Sequence, residues 1–231
     1  RDYYASRGLG DVYKRQQGVF STSEDAAFAG LRDGRADGDV FRGGDMHFAD
    51  LVADGVIDEK DKTVIGDPNP DIFGNFGTSL HYKNWTLNAF FSYSLGNDIY
   101  NYQRAVLEGG STYYNQTTAV LNRWTSEGQV TEIPRAELGD PMGNSRFSDR
   151  WIEDGSYLKL KTLSLSYRIP FNYTFLQGIT VWAAANNVFT CTKYLGSDPE
   201  LSISSSAVGQ GIDRGLLGRG RSFVLGVKIN L

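Results

Sequence analysis

The sequence predicts an all-β fold: antiparallel strands forming part of a transmembrane β-barrel, present as an open curved sheet with long extracellular loops on one side. Three observations carry that reading. Five stretches alternate apolar and polar residues with a period of two, the pattern of a strand with two different faces. The connections are short at 83–85 and 170–178 but long and polar at 96–155 and 190–220, an asymmetry shared with outer-membrane barrels. The composition agrees. Aromatics reach 13% and glycines number 27, while hydrophobic residues stay at 40% and mean hydropathy at −0.35, because alternating strands dilute apolar residues with polar ones.

Along the chain, residues 1–16 show neither helical nor strand periodicity. Gly10–Gln16 resembles translated adapter sequence, so 1–16 is set apart as a candidate foreign segment. Residues 17–75 read as a loop region. Within it, Ser21 and Glu24 form a capping box that predicts a short helix over 24–31, and the glycine- and aspartate-rich 33–45 reads as loop. Residues 76–231 hold the barrel strands and their loops. Over 76–82 the bulky residues Phe76, Leu80 and Tyr82 fall on even numbers. After a turn at Lys83-Asn84, odd positions take over with Leu87, Ala89, Phe91, Tyr93 and Leu95, opposite Thr86, Asn88, Ser92 and Ser94. The pair predicts an antiparallel hairpin.

Over 157–169, Leu163, Leu165, Tyr167 and Ile169 oppose Thr162, Ser164, Ser166 and Arg168. The phase slips at Lys159–Lys161, which predicts a bulge or an exit from the apolar layer, and Pro170 ends the strand. Ile179–Phe189 is a fourth strand, with Ala183–Ala185 suited to either face. In the fifth, Phe223, Leu225, Val227, Ile229 and Leu231 line one face and Ser222, Gly226, Lys228 and Asn230 the other. Alternation alone fits a soluble carbohydrate-binding β-sandwich equally well; the loop lengths favour the barrel. Five strands cannot close, since the smallest such barrels have ~8. Unpaired edges are not tolerated in lipid, so further strands are expected upstream of residue 1.

Several function classes are disfavoured. A formal charge of −4 provides no nucleic-acid footprint. One cysteine, Cys191, excludes an intramolecular disulfide and a Cys-based zinc cage. No apolar run approaches a transmembrane helix, and no export signal is visible, so an exported protein would be a fragment. Glu153 and Asp154 are adjacent and would point to opposite faces of a strand, unable to flank one glycosidic bond. His47 and His81 lie far apart and no GxSxG surrounds a serine. No enzyme is expected.

Two sets of candidate site residues remain. Asp50, Asp54, Asp58 and Asp61 occupy positions 1, 5, 9 and 12 of a calcium-like loop with Gly55 at 6 and Ile57 at 8. Val52 stands where an oxygen ligand is expected, and Asp61 is shorter than the usual Glu. The loop thus reads either as a structural Ca²⁺ site or as a metal-free run of Asx turns; no cofactor is otherwise required. Among the loop aromatics Tyr100, Tyr102, Tyr113, Tyr114 and Trp124, the side chains of Tyr113, Tyr114 and Trp124 are candidates for stacking on ligand rings, the alternative being loop packing or an interface girdle.

These motifs, taken in order, resemble the SusC/RagA family of TonB-dependent outer-membrane transporters of Bacteroidetes. The matching stretches are Gly44-Asp45, Asp50 to Asp61, Ile65 to Asp71, Gly96 to Asn101, Asn122 to Thr125, Pro134-Arg135 and Ser148 to Arg150. Glu153 to Lys161, Asn186 to Thr190, Thr192 to Tyr194 and Asp198-Pro199-Glu200 follow at fitting distances. The resemblance runs over about residues 18–231. It departs at Val52, usually Asn in the family, and at Leu231, often Phe. It implies the C-terminal part of a barrel of ~22 strands. It further implies TonB-driven import of oligosaccharides or peptides, a SusD-like lipoprotein partner and membrane lipid as neighbour. Plug and TonB contacts would lie outside this sequence.

Overall fold

The computed structural model describes residues 12–35, 39–170, 178–201 and 209–230. The chain divides into two compact units, residues 1–68, 98–153 and 201–216, and residues 69–97, 154–200 and 217–231.

The first unit is built from short elements around small cores. The helix α1 (Ser23–Ala29) is capped by Thr22, whose side chain accepts from the Asp25 amide, and ends at Gly30 in the left-handed region. The sequence pointed to Ser21 as the cap; Ser21 Oγ instead donates to the Asp25 carboxylate at 2.8 Å. Val12–Lys14 pairs antiparallel with Lys62–Val64, and Gln16–Val19 with Met46–Phe48. Strand structure at 12–16 was not expected. Ladders of three or four residues are held by backbone bonds and need no apolar period. Phe20, Ala26, Leu31, Phe41, Met46, Phe48, Ile57 and Met142 form the main core. A second cluster gathers on Tyr100 and fully buried Trp151. The short helix α2 (Tyr102–Glu108) stands beside it.

Cores this small leave much irregular backbone to satisfy, and buried carboxylates do it. Asp45 is fully buried. It accepts from the Arg42 amide at 2.8 Å, from Asn144 Nδ2 at 3.0 Å, and faces Arg135 Nε at 2.9 Å. Asn144 Oδ1 in turn accepts from the Met46 amide. Three segments far apart in sequence meet at one carboxylate.

The second unit is one antiparallel sheet of five strands: β1 (Ile72–Tyr82), β2 (Trp85–Leu95), β3 (Tyr157–Ile169), β4 (Gly178–Thr192) and β5 (Ser222–Asn230). The spatial order is β5-β4-β3-β2-β1, so the sheet is open, with β1 and β5 at its edges. All five predicted strands are present. Each neighbour in space is the neighbour in sequence among these five, the up-and-down order of barrels. β1 begins four residues earlier than expected because Ile72–Asn75 pair with Ser92–Leu95, although Gly74 hides the alternation there. The predicted slip in β3 is a bulge. Register shifts between Leu160 and Thr162 on both sides: against β2, Lys161 is the extra residue, while on β4 two residues, Asn187 and Val188, lie opposite Lys161. The predicted turn at 171–177 and Leu231 lie outside the described residues.

Replacing Asp45 by Ala should destabilise the first unit by about 3 kcal/mol, because Arg135 and Asn144 lose a buried partner. Hydrogen exchange on the full-length protein should show the amides of Phe20, Gly44 and Met46 losing protection together. Unchanged protection would contradict the hub.

Candidate functional site

The sheet carries two chemically distinct faces, and its register lines them up across all five strands. One cross-strand row reads Leu80, Leu87, Leu165, Ala183, Leu225; another reads Tyr82, Trp85, Tyr167, Val181, Val227. The opposite face reads Ser79, Asn88, Ser164, Ala184, Val224, then His81, Thr86, Ser166, Trp182, Gly226. On that polar face, Ser79 Oγ donates to Asn88 Oδ1 at 2.7 Å and Asn88 Nδ2 to Ser164 Oγ at 3.2 Å, so side chains chain across strands.

The apolar face is exposed. Phe223 is 81% exposed, Leu225 84% and Val227 62%. Among the described residues no second sheet covers them, as a β-sandwich would require.

At the long-loop end, the polar face is covered. Here the bulge matters: before it Tyr157 and Lys159 share the face of Ser92 and Ser94, while Leu158 and Leu160 share that of Tyr93 and Phe91. Lys159 is 2% exposed. Its Nζ donates to Asp198 Oδ2 at 2.9 Å and Glu200 Oε2 at 2.8 Å, and Lys161 Nζ reaches Glu200 Oε1 at 2.8 Å. Tyr157 adds a hydroxyl donor to Glu200 at 3.1 Å. Burial works to raise the Glu200 carboxyl, but the hydrogen bonds and charges of Lys159 and Lys161 outweigh it and bring it down to about 2. The signal in the sequence was the pair of lysines at the phase slip. Nothing local paired them with Asp198 and Glu200, 39 and 41 residues away.

The aspartate loop uses its carboxylates on its own backbone. Asp50 accepts from the amides of Ala53 at 2.7 Å and Gly55 at 2.8 Å. Asp54 accepts from the Val56 amide and Lys60 Nζ, and Asp58 from the Lys60 amide. Buried Asp61 takes the amides of Leu51, Val52 and Asp58. Burial acts to raise its pKa, yet those three amides hold it below the ordinary range. Among the described residues, no three such side chains gather at a metal-binding distance. The geometry on display is that of successive Asx turns, with Ala53 and Gly55 at positive φ.

Of the aromatic candidates, Trp124 is a packing residue. Its Nε1 donates to Ser21 O at 2.9 Å, and its ring lies so close over Gly44 that a Cβ there would sit 2.4 Å away. Tyr113 and Tyr114 stand 89% and 71% exposed. The adjacent acids separate as expected: Glu153 pairs with Arg104 at 2.8 Å, while Asp154 accepts from the Ser156 amide.

No family model matches the chain. Among curated proteins, "TonB-dependent receptor P3" of Formosa agariphila is 36% identical over 200 residues, 83% of this chain and 19% of that protein. "TonB-dependent receptor P26" of the same organism is 30% identical over 92% of this chain and 21% of its own length. "TonB-dependent receptor SusC" of Bacteroides thetaiotaomicron is 28% identical over 79% of this chain and 17% of its own. The chain thus spans about a fifth of the length of the curated relatives it matches. Among solved structures, the RagAB peptide transporter superposes with a TM-score of 0.72 at 21% identity, over 95% of this chain and 22% of that one. The open-open state of the RagAB peptide importer gives 0.69 at 21% identity, with the same coverage. The open sheet is therefore a segment of a RagA-type barrel fold.

Because Glu200 is depressed from 4.5 to about 2, its contribution is complete above pH 4.5 and lost as pH falls through 2. Proteolysis of the 194–200 segment should therefore be constant from pH 7 to 5 and rise only below about 4. Susceptibility that climbs already at pH 6 would contradict the ion-pair geometry. Asp61→Ala should cost about 1–3 kcal/mol by orphaning three amides, read as faster hydrogen exchange at Leu51, Val52 and Asp58. Loss of protection that added Ca²⁺ alone reverses in the unmutated protein would instead mark a metal site.

Proposed function

The chain belongs to the SusC/RagA family of TonB-dependent receptors, and on that premise we propose that it builds part of the wall of an outer-membrane barrel importing oligosaccharides or peptides. One observation carries the reading: an unbroken, exposed apolar face in register across five strands, backed by a hydrogen-bonded polar face. Water would not tolerate such an arrangement, whereas a bilayer outside and a wet lumen inside match it.

The aromatic rows support the same placement. Tyr82, Trp85 and Tyr167 lie together at the short-turn end, with Trp85 and Tyr167 rings 4.6 Å apart. Phe76 and Phe91 stack at 4.8 Å toward the other end, and Tyr93 follows. From Trp85 to Tyr93 the strand rises roughly 27 Å. At a tilt of about 40° that spans about 20 Å of membrane, comparable to the ~25 Å apolar band with flanking aromatic girdles.

In this reading the long loops face outward, where Tyr113 and Tyr114 would meet cargo or a SusD-like lipoprotein lid. Energy would come through TonB, contacted by parts of the protein outside this sequence. The chain binds and guides solute without making or breaking a covalent bond. The peptide alternative is supported by the RagAB likeness and the glycan alternative by the SusC relative.

Deleting the full-length gene should abolish uptake of labelled oligosaccharides or peptides, restored by the gene in trans and lost again with a protonophore. Uptake of both classes that persists unchanged in the deletion strain would overturn the proposal. For the orientation of the sheet, Phe223→Arg, in the row of Ala89 midway between the aromatic rows, should cost roughly 2–4 kcal/mol in a folding assay on the full-length barrel, and Lys228→Gln close to nothing. Equal tolerance at the two positions would reverse or remove the assignment of faces.

A further inference from the structure

The polar face of the sheet changes character along its length. Near the short turns Ser79, His81, Asn88, Arg168 and Lys228 are exposed. At the other end Ser92, Ser94 and Lys159 are 3%, 7% and 2% exposed on that same face. Over Lys159 the cover comes from the chain itself: beyond β4 the segment Tyr194–Glu200 folds back so that Asp198 and Glu200 meet its Nζ, with Tyr194 and Asp198 buried, and Ser92 is the cross-strand neighbour of Lys159.

This strap is anchored at both ends and packed tightly between them. At its start, Thr192 Oγ1 donates to Ser156 O at 2.8 Å and accepts from the Tyr194 amide at 3.1 Å. The Tyr194 ring lies against Gly196, where a Cβ would sit 2.3 Å from it, so only glycine fits. Gly218 backs Asp198, where a Cβ would sit a tight 3.2 Å from the Asp198 Cβ. At its far end, Lys159 holds Asp198 and Glu200 while Lys161 holds Glu200. Two lysines face two carboxylates, so the charges balance. With Lys159 at 3% side-chain exposure and Asp198 at 7%, breaking the pair leaves an uncompensated buried charge, which is what makes the anchor strong.

A segment held this way over the inward face cannot swing outward with the rest of a long loop. We propose that Tyr194–Glu200 is a fixed strap narrowing the passage at the long-loop mouth, and that Lys159 is the positioning residue through which it limits the size of peptide or oligosaccharide admitted. This inference rests on the transport reading above, and deepens it by naming an element that sets cargo size. Lys159 touches no cargo in this scheme; it acts through the strap.

The test uses the full-length protein in cells, in a Cys191→Ala background carrying Ser92→Cys at the buried cross-strand neighbour of the clamped Lys159. External maleimides of small and large size report access, and labelled oligomers of graded length report uptake. Lys159→Met and, separately, Glu200→Gln should speed labelling at position 92 by about ten-fold or more. They should also raise uptake of long relative to short cargo several-fold. Lys159→Arg should keep both near the parent. A general folding defect would lower uptake at every length and leave the ratio unmoved. Unchanged labelling would show that the clamp does not hold the strap, and faster labelling with an unchanged length ratio would show that the strap does not filter; either overturns the inference. Absence of uptake at every length in the parent strain would overturn the transport reading, and with it the filter, while labelling as expected would still identify the strap as a cover.

Discussion

A strand has a period of two residues, and five strands hydrogen-bonded in register carry that period across the whole sheet. The two faces depend on this constraint. Each backbone amide and carbonyl inside the sheet is spent on a neighbour, so the side chains alone decide what each surface meets. A slip of one residue in any strand would place leucines among serines. The Lys161 bulge adds a residue to β3 and thereby shifts its phase relative to the numbering. Without it, Leu158 and Leu160 could not share a face with Leu163 and Leu165. The bulge also lets one strand be a membrane-type wall along most of its length and a lysine anchor at its end.

The loops solve a different problem. They have little apolar surface to bury, so their order rests on charge and hydrogen bonding at buried points. Asp45, Asp61 and the Lys159–Asp198–Glu200 cluster each join segments that sequence separates. A buried carboxylate is costly when alone and stabilising when its oxygens are all taken, so these points make the loop conformations close to all-or-none. Asp61 is one such point, its carboxylate serving three amides at once. Exposed Tyr113 and Tyr114 carry no such duty.

What could be read from the sequence follows from the range of the interactions involved. Alternation is local, so Leu87 to Leu95, Leu163 to Ile169 and Phe223 to Ile229 announced their strands and faces, and the phase slip at Lys159–Lys161 announced the bulge. The contrast between short and long connections, together with the collinear motifs, announced the barrel. The strands at 12–19 had no such signal, because short ladders draw on backbone bonds that every residue type can make. Trp124 was open to ligand stacking or loop packing, because an aromatic in a polar loop is ambiguous until its neighbour is known; its ring packs over Gly44. The partners of Lys159 were likewise decided only in the tertiary structure, since an ion pair between residues about forty positions apart leaves no periodic trace in either segment. A single strand's pattern specifies what each face must avoid; which loop folds over it depends on contacts that exist only once the chain is assembled.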